Sequence, residues 1–198
     1  MADFSAIAAV GSSLEKYLRL CFDELQPISD DKKTKVFLGR TDDLNKETSK
    51  EIVAPCLALY LYRVDFNKTL RASWSARGAV SGDSHLPVDL HFLFIPWAEN
   101  AVYEHRIIGR VLQCMEDMPI LSGPLLDPMT NWGAHEAIQV YLEELSTEDL
   151  MRTFDSLPLD YKLSIPYAAR VMVIDGRRAD PSAPSTHTEL QLNVPVGQ

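Results

Sequence analysis

Between Leu86 and Asp117 the spacing of the apolar residues changes once and sharply, and this change constrains the fold more than any other feature. In "LPVDLHFLFIPW" Val88, Leu90, Phe92 and Phe94 fall on alternate positions, which is the period of a strand. Asp89 and His91 project from the opposite face, beside Leu93 and Ile95. From about Glu99 the spacing lengthens to three and four residues, the period of an amphipathic helix running to Asp117. Its predicted stripe is Val102, His105, Ile108, Leu112 and Met115, widened by Ile107, Val111 and Cys114. Gly109 at the centre disfavours the helix by about 1 kcal/mol relative to alanine, which predicts a close approach by another element.

The same two periods organise the rest of the chain. Phe4, Ile7, Val10, Leu14, Tyr17, Leu18, Cys21, Phe22 and Leu25 mark an opening helix closed by Pro27. A short strand is predicted from Val36, a loop from Arg40 to Glu51, and a central strand in "APCLALYLYRVDFN" from Ala54. "KTLRASWSARGAV" alternates and reads as a half-exposed strand. "EAIQVYLEEL" is a strand with Ile138, Val140 and Leu142 pointing together. Ser146 caps a short helix running to about Leu157, and "YKLSIPYAARVMVID" is the last strand. The order α-β-β-β-β-α-β-α-β predicts an α+β fold. It should have a mixed, mostly antiparallel sheet flanked by two longer helices and one short one. Residues 1–175 read as one domain, followed by an extended tail at 176–198 rich in Pro, Ser and Thr.

Composition excludes some functions. A formal charge of −9 in 198 residues argues against nucleic-acid binding, which requires clustered Lys and Arg. The opening segment lacks the basic start of a signal peptide, and no apolar run approaches the length of a membrane span, which predicts folding in the cytoplasm. Cys21, Cys56 and Cys114 are far apart, each in an apolar run, and read as buried reduced thiols.

No catalytic or metal motif stands out. None of the five histidines is paired at helical spacing, and there is no glycine-rich phosphate loop and no nucleophile elbow. Asp89 and His91 could supply half a site, but two candidate ligands without a third are weak evidence. Glu104, His105 and Arg106 are adjacent on a helix and point about 100° apart, so they cannot converge on one ligand. The expectation is no catalytic residue, no metal and no cofactor.

Charge is distributed unevenly. The stretch from Arg63 to Arg77 carries Arg63, Lys68, Arg71 and Arg77 against a single acid, Asp65. From Glu143 to Asp160 come Glu143, Glu144, Glu148, Asp149, Asp155 and Asp160 against a single base, Arg152. These can be two solvated faces, or they can meet head to tail between subunits of a ring.

Four pieces taken in order carry a resemblance: the opening helix, "LALYLYRV", "LPVDLHFLFIPWAENAVYEHRIIGRVLQCMEDMPIL" and "IQVYLEELSTEDLMRTFDSLPLDYKLSIPYAARVMVID". Together, over roughly residues 4 to 175, they resemble the cap, or tail-terminator, family of extracellular contractile injection systems. These are phage-tail-like particles of the Photorhabdus virulence cassette and antifeeding prophage type. Phe154 stands where family members often carry tryptophan, and some members have a longer C-terminal region. The resemblance implies a structural protein that forms a homohexameric ring, ends inner-tube growth and anchors the distal end of the sheath. Its partners would be itself, the inner tube protein and the sheath protein, with no nucleic acid and no membrane. It implies assembly in the bacterial cytoplasm and a place in a released extracellular particle. Glu189, Leu190, Leu192 and Val194 alternate in the tail and are candidates for adding a strand to a sheath or tube subunit. Two other readings remain open: a monomeric assembly chaperone or adaptor, and a small hydrolase using Asp89 and His91.

Overall fold

A computed structural model describes residues 2–28, 32–45, 49–70, 85–133 and 136–175. Helix α1 (Ala6–Glu24) precedes β1 (Lys35–Gly39), β2 (Cys56–Phe66) and β3 (His85–Trp97). Then come α2 (Ala101–Asp117), β4 (Ile120–Ser122), β5 (Ala137–Leu142), α3 (Thr147–Asp155) and β6 (Ile165–Asp175). The six strands form one sheet in the order β1-β2-β3-β6-β5-β4. β1 and β2 are parallel, and every other neighbouring pair is antiparallel. The α+β class, the mixed sheet, the two longer helices and the short one are as expected.

Strand alternation sorts the core into two layers. On one face of the sheet Leu57, Leu59, Leu90, Phe92, Phe94 and Tyr167 meet Val10, Leu14, Leu18 and Phe22 of α1. Ile107, Val111, Cys114 and Met115 of α2 complete that layer, and the Phe94 and Tyr167 rings stack at 4.9 Å. The other face holds a smaller cluster of Phe37, Cys56, Ala58, Leu93, Ile95 and Trp97, closed by Phe154 from α3. Burying each such side chain contributes roughly 1.5–3 kcal/mol, so the helix-covered face provides most of the stability. Asn100 caps α2 by accepting from the Tyr103 amide at 3.0 Å. Ser146 caps α3 in the same way through Asp149, at 3.1 Å.

The structure corrects several expectations. The buried side of α2 is Ile107, Val111, Cys114 and Met115, rotated from the predicted stripe, so Val102 is largely solvated, Leu112 is partly so at 38% and His105 is exposed. Helical periodicity locates a stripe only to within about one residue's turn, and the Tyr103-Ile107-Cys114 line competes with the one chosen. Gly109 has open space around it. The close helix approach is instead at Gly11, where an added Cβ would lie 3.1 Å from the Leu38 side chain. Phe4 precedes the first turn of α1 and is 87% exposed, and Leu25 caps its end and is also exposed. Leu142 lies at the end of β5 and is exposed, unlike Ile138 and Val140. The predicted strand from Lys68 opens as a helical turn at residues 68–70, where Asn67 Oδ1 accepts from the Leu70 amide at 3.0 Å. The rest of that predicted strand, and the tail at 176–198, lie outside the described residues.

Candidate functional site

Beyond the reach of α3, the second face of the sheet is polar. A β-bulge between Leu61 and Arg63 turns Arg63 onto the same side as its partner His91, and Asp65 sits opposite Asp89 two residues further along the strands. Glu143, just past β5, is the hub. It accepts from the Tyr62 hydroxyl at 3.1 Å, Arg63 Nη2 at 3.0 Å and His91 Nδ1 at 2.9 Å. His91 Nδ1 also lies 3.2 Å from Arg63 Nη2, so the ring nitrogen sits between a cation and a carboxylate. Burial, followed by the Glu143 charge, pushes the Tyr62 hydroxyl above its ordinary range. Arg63 also pairs with Asp65 at 3.0 Å. Asp89 is held separately, by Asn67 Nδ2 at 3.1 Å and by Arg170 Nε at 3.4 Å. An open groove of about 590 Å³ lies over these groups, edged by Lys68 and Tyr141.

Asp89 and His91 do share a face, as expected, but each is engaged by other partners. No serine, threonine or cysteine among the described residues hydrogen-bonds His91. Nor does any group of three or more His, Cys, Asp or Glu suited to a metal occur among the described residues. The network joins β2, β3 and the end of β5, and its geometry is that of a satisfied ion cluster.

The charged residues singled out in the sequence divide into three groups. Arg63 and Glu143, assigned to opposite charge stretches, meet within one chain. Glu148 pairs with Arg152 at 2.6 Å and Asp149 takes part in the α3 cap, while Lys68 and Glu144 are exposed. Arg71, Arg77, Glu189, Leu190, Leu192 and Val194 lie outside the described residues. Sequence reading missed Tyr62, Asn67 and Arg170, because a bulge and a cross-strand register leave no local pattern. It also missed a hollow of about 510 Å³ beside α3, lined by Met151, Phe154, Pro158 and Tyr161 with Asp155 and Asp160.

Glu104 fills a different role from its neighbours. It is largely buried, takes an ion pair from Lys162 and accepts from the Ala98 amide at 3.4 Å, while His105 and Arg106 face solvent. Lys162 also lies 4.7 Å over the Trp97 ring. The run is therefore a packing clamp between α2 and the approach to β6.

The sheet edges are short and protected. Arg19 of α1 donates to the Val36 carbonyl of β1 from Nε at 3.1 Å and Nη2 at 2.9 Å, blocking an outward acceptor. At the far edge β4 is only three residues long. Among the described residues, neither edge offers a long template for another strand.

The model of the Pvc16 N-terminal domain family matches residues 9–188. The chain belongs to this family. A solved structure titled as the sheath/tube terminator of an extracellular contractile injection system, PVC, in its extended state, has the same fold. The TM-score is 0.54 at 14% identity, over 96% of this chain and 65% of that one. The chain thus spans about two thirds of the length of the terminator chain. No curated protein sequence matches it. No described helix is long and apolar enough to cross a membrane.

Proposed function

We propose that this chain is a structural cap, or tail terminator, of a phage-tail-like contractile injection particle, forming a ring that ends inner-tube growth and anchors the distal end of the sheath. The observation that carries this reading is the family match over residues 9–188, joined to a terminator fold along nearly the whole chain. A terminator has to bind the last tube ring and offer no surface for another. The blocked β1 edge and the three-residue β4 suit that second demand. The partners are further copies of the chain in a homohexamer, the inner tube protein and the sheath protein, with neither nucleic acid nor membrane. The chain acts without catalysis, is assembled in the bacterial cytoplasm and leaves in the particle. Residues 1–175 form the terminator domain, and the tail at 176–198 reaches sheath or tube through Glu189, Leu190, Leu192 and Val194.

With Arg63 and Glu143 satisfied within the chain, Lys68, Arg71 and Arg77 remain as the basic side of the subunit contact. Glu144 and Asp149 form the acidic side, Glu148 being paired with Arg152 within the chain. Native mass spectrometry in low and then high salt tests this. A hexamer that loosens with salt is expected, and a monomer at every concentration contradicts the ring.

A further inference from the structure

Cys21 and Cys114 stand far apart in the sequence and meet in the core layer between α1 and α2. Two reciprocal bonds hold their turns together. Tyr17, one turn before Cys21 on α1, donates its hydroxyl to the Cys114 carbonyl at 2.5 Å. Arg110, one turn before Cys114 on α2, donates from Nη2 to the Cys21 carbonyl at 3.0 Å. Residues four apart share a helix face, so the bonds that tie the helices together also bring the two thiols face to face. The thiols hydrogen-bond each other, and the Tyr17 hydroxyl is in hydrogen-bond contact with Cys21 as well. Both cysteines are free. Cys56, the third, lies in the opposite core layer among Phe37, Ile95 and Trp97, with the sheet between it and this pair.

The geometry points to Cys21 and Cys114 as a latent dithiol that a peroxide converts to a disulfide, stapling α1 to α2 over the larger core layer. Cys21 keeps 9% of its surface exposed and Cys114 only 1%, so Cys21 meets the oxidant first. Its sulfur attacks one peroxide oxygen and the O–O bond breaks. The departing oxygen takes the Cys21 proton and leaves as water, and a sulfenic acid remains on Cys21. Burial, then the hydrogen bond with Cys21, pushes the Cys114 thiol up, so Cys114 stays protonated until that step is complete. The Cys114 sulfur then attacks the sulfenic sulfur. The S–O bond breaks, and the hydroxyl leaves with the Cys114 proton as a second water. Two thiols are oxidised and one peroxide is reduced to two waters. The new bond closes a loop of roughly ninety residues that contains β1, β2 and β3, which restricts the unfolded chain far more than the native one. Seclusion from solvent makes the bond slow to form and, once formed, hard to reduce. None of this depends on the terminator reading.

Hydrogen peroxide added to the folded full-length chain, followed by an acid quench and alkylation in urea, tests this directly. The intact mass should fall by two hydrogen atoms, and peptide mapping without reductant should join Cys21 to Cys114. Only Cys56 should then alkylate, where the untreated chain offers all three thiols. The urea midpoint of the oxidised chain should rise by roughly 1–2 M and return on addition of dithiothreitol. Cys56→Ser should keep both the bond and the shift, and Cys21→Ser should lose both. The mapping needs no variant, so it decides the matter even if Cys21→Ser folds poorly. Three thiols still open to alkylation, a bond that uses Cys56 or joins two copies, or Cys21 carried on to sulfinic acid without a bond would each overturn the proposal. A Cys21–Cys114 bond that leaves the midpoint unmoved would overturn the staple.

Discussion

Phe154 holds α3 to the sheet almost alone, and Phe154→Ala should show it. It is the only buried residue of a nine-residue helix, 3% exposed, packed among Cys56, Ala58, Ile95 and Trp97 with the Tyr161 ring 5.3 Å away. Truncating a buried phenylalanine to alanine typically destabilises by about 3–5 kcal/mol, with the larger values where a cavity is left unfilled. Here one side of Phe154 adjoins the open hollow, so water and neighbouring side chains can enter the vacated space, and the expected loss is about 3 kcal/mol. A helix this short does not persist without its tertiary contact. Urea denaturation gives the global loss, and amide hydrogen exchange should show protection of residues 150–157 collapsing before the strands open. A loss below about 1 kcal/mol with α3 still protected would refute the reasoning.

Two further perturbations test the packing clamp and the buried thiols. Glu104→Gln should destabilise by about 2 kcal/mol, because it leaves the Lys162 ammonium partly buried against Trp97 without its carboxylate. A double-mutant cycle with Lys162→Met should give a coupling above about 0.5 kcal/mol, and additivity would contradict the clamp. Burial pushes the Cys56 thiol up to about 12 from an ordinary 9.0. The unfolded thiol therefore ionises first, and stability should be fully present below pH 9 and decline toward pH 12, by up to ~1.4 kcal/mol per pH unit for this group. Urea midpoints from pH 8 to 10.5 should fall less steeply in Cys56→Ala, and an unchanged slope would contradict this origin.

Much of the fold is legible in the sequence because period alone separates strand from helix in long segments. β3 shows this best, since every second residue from Val88 to Phe94 enters the larger core layer. Ser146 and Asp149 announced the α3 start through cap chemistry confined to four residues. What was not legible depends on register or rotation. The α2 stripe was misplaced because Val102, His105 and Leu112 make an equally regular helical line, and only packing on α1 and the sheet chooses between lines. Arg63 and Glu143 lie 80 residues apart, and only a bulge in β2 brings them into one cluster. The Glu104 clamp likewise depends on Lys162, 58 residues away. The hollow beside α3 is bounded by the loop after the helix, and its shape has no periodic signature.

Electron microscopy of particles assembled with and without this chain tests the terminator role most directly. With it, particles should have a uniform length and a closed ring of this chain at the end distal to the baseplate. Without it, inner tubes should vary in length and sheaths should detach from that end. Particles of normal, uniform length with firmly held sheaths in its absence would contradict the account.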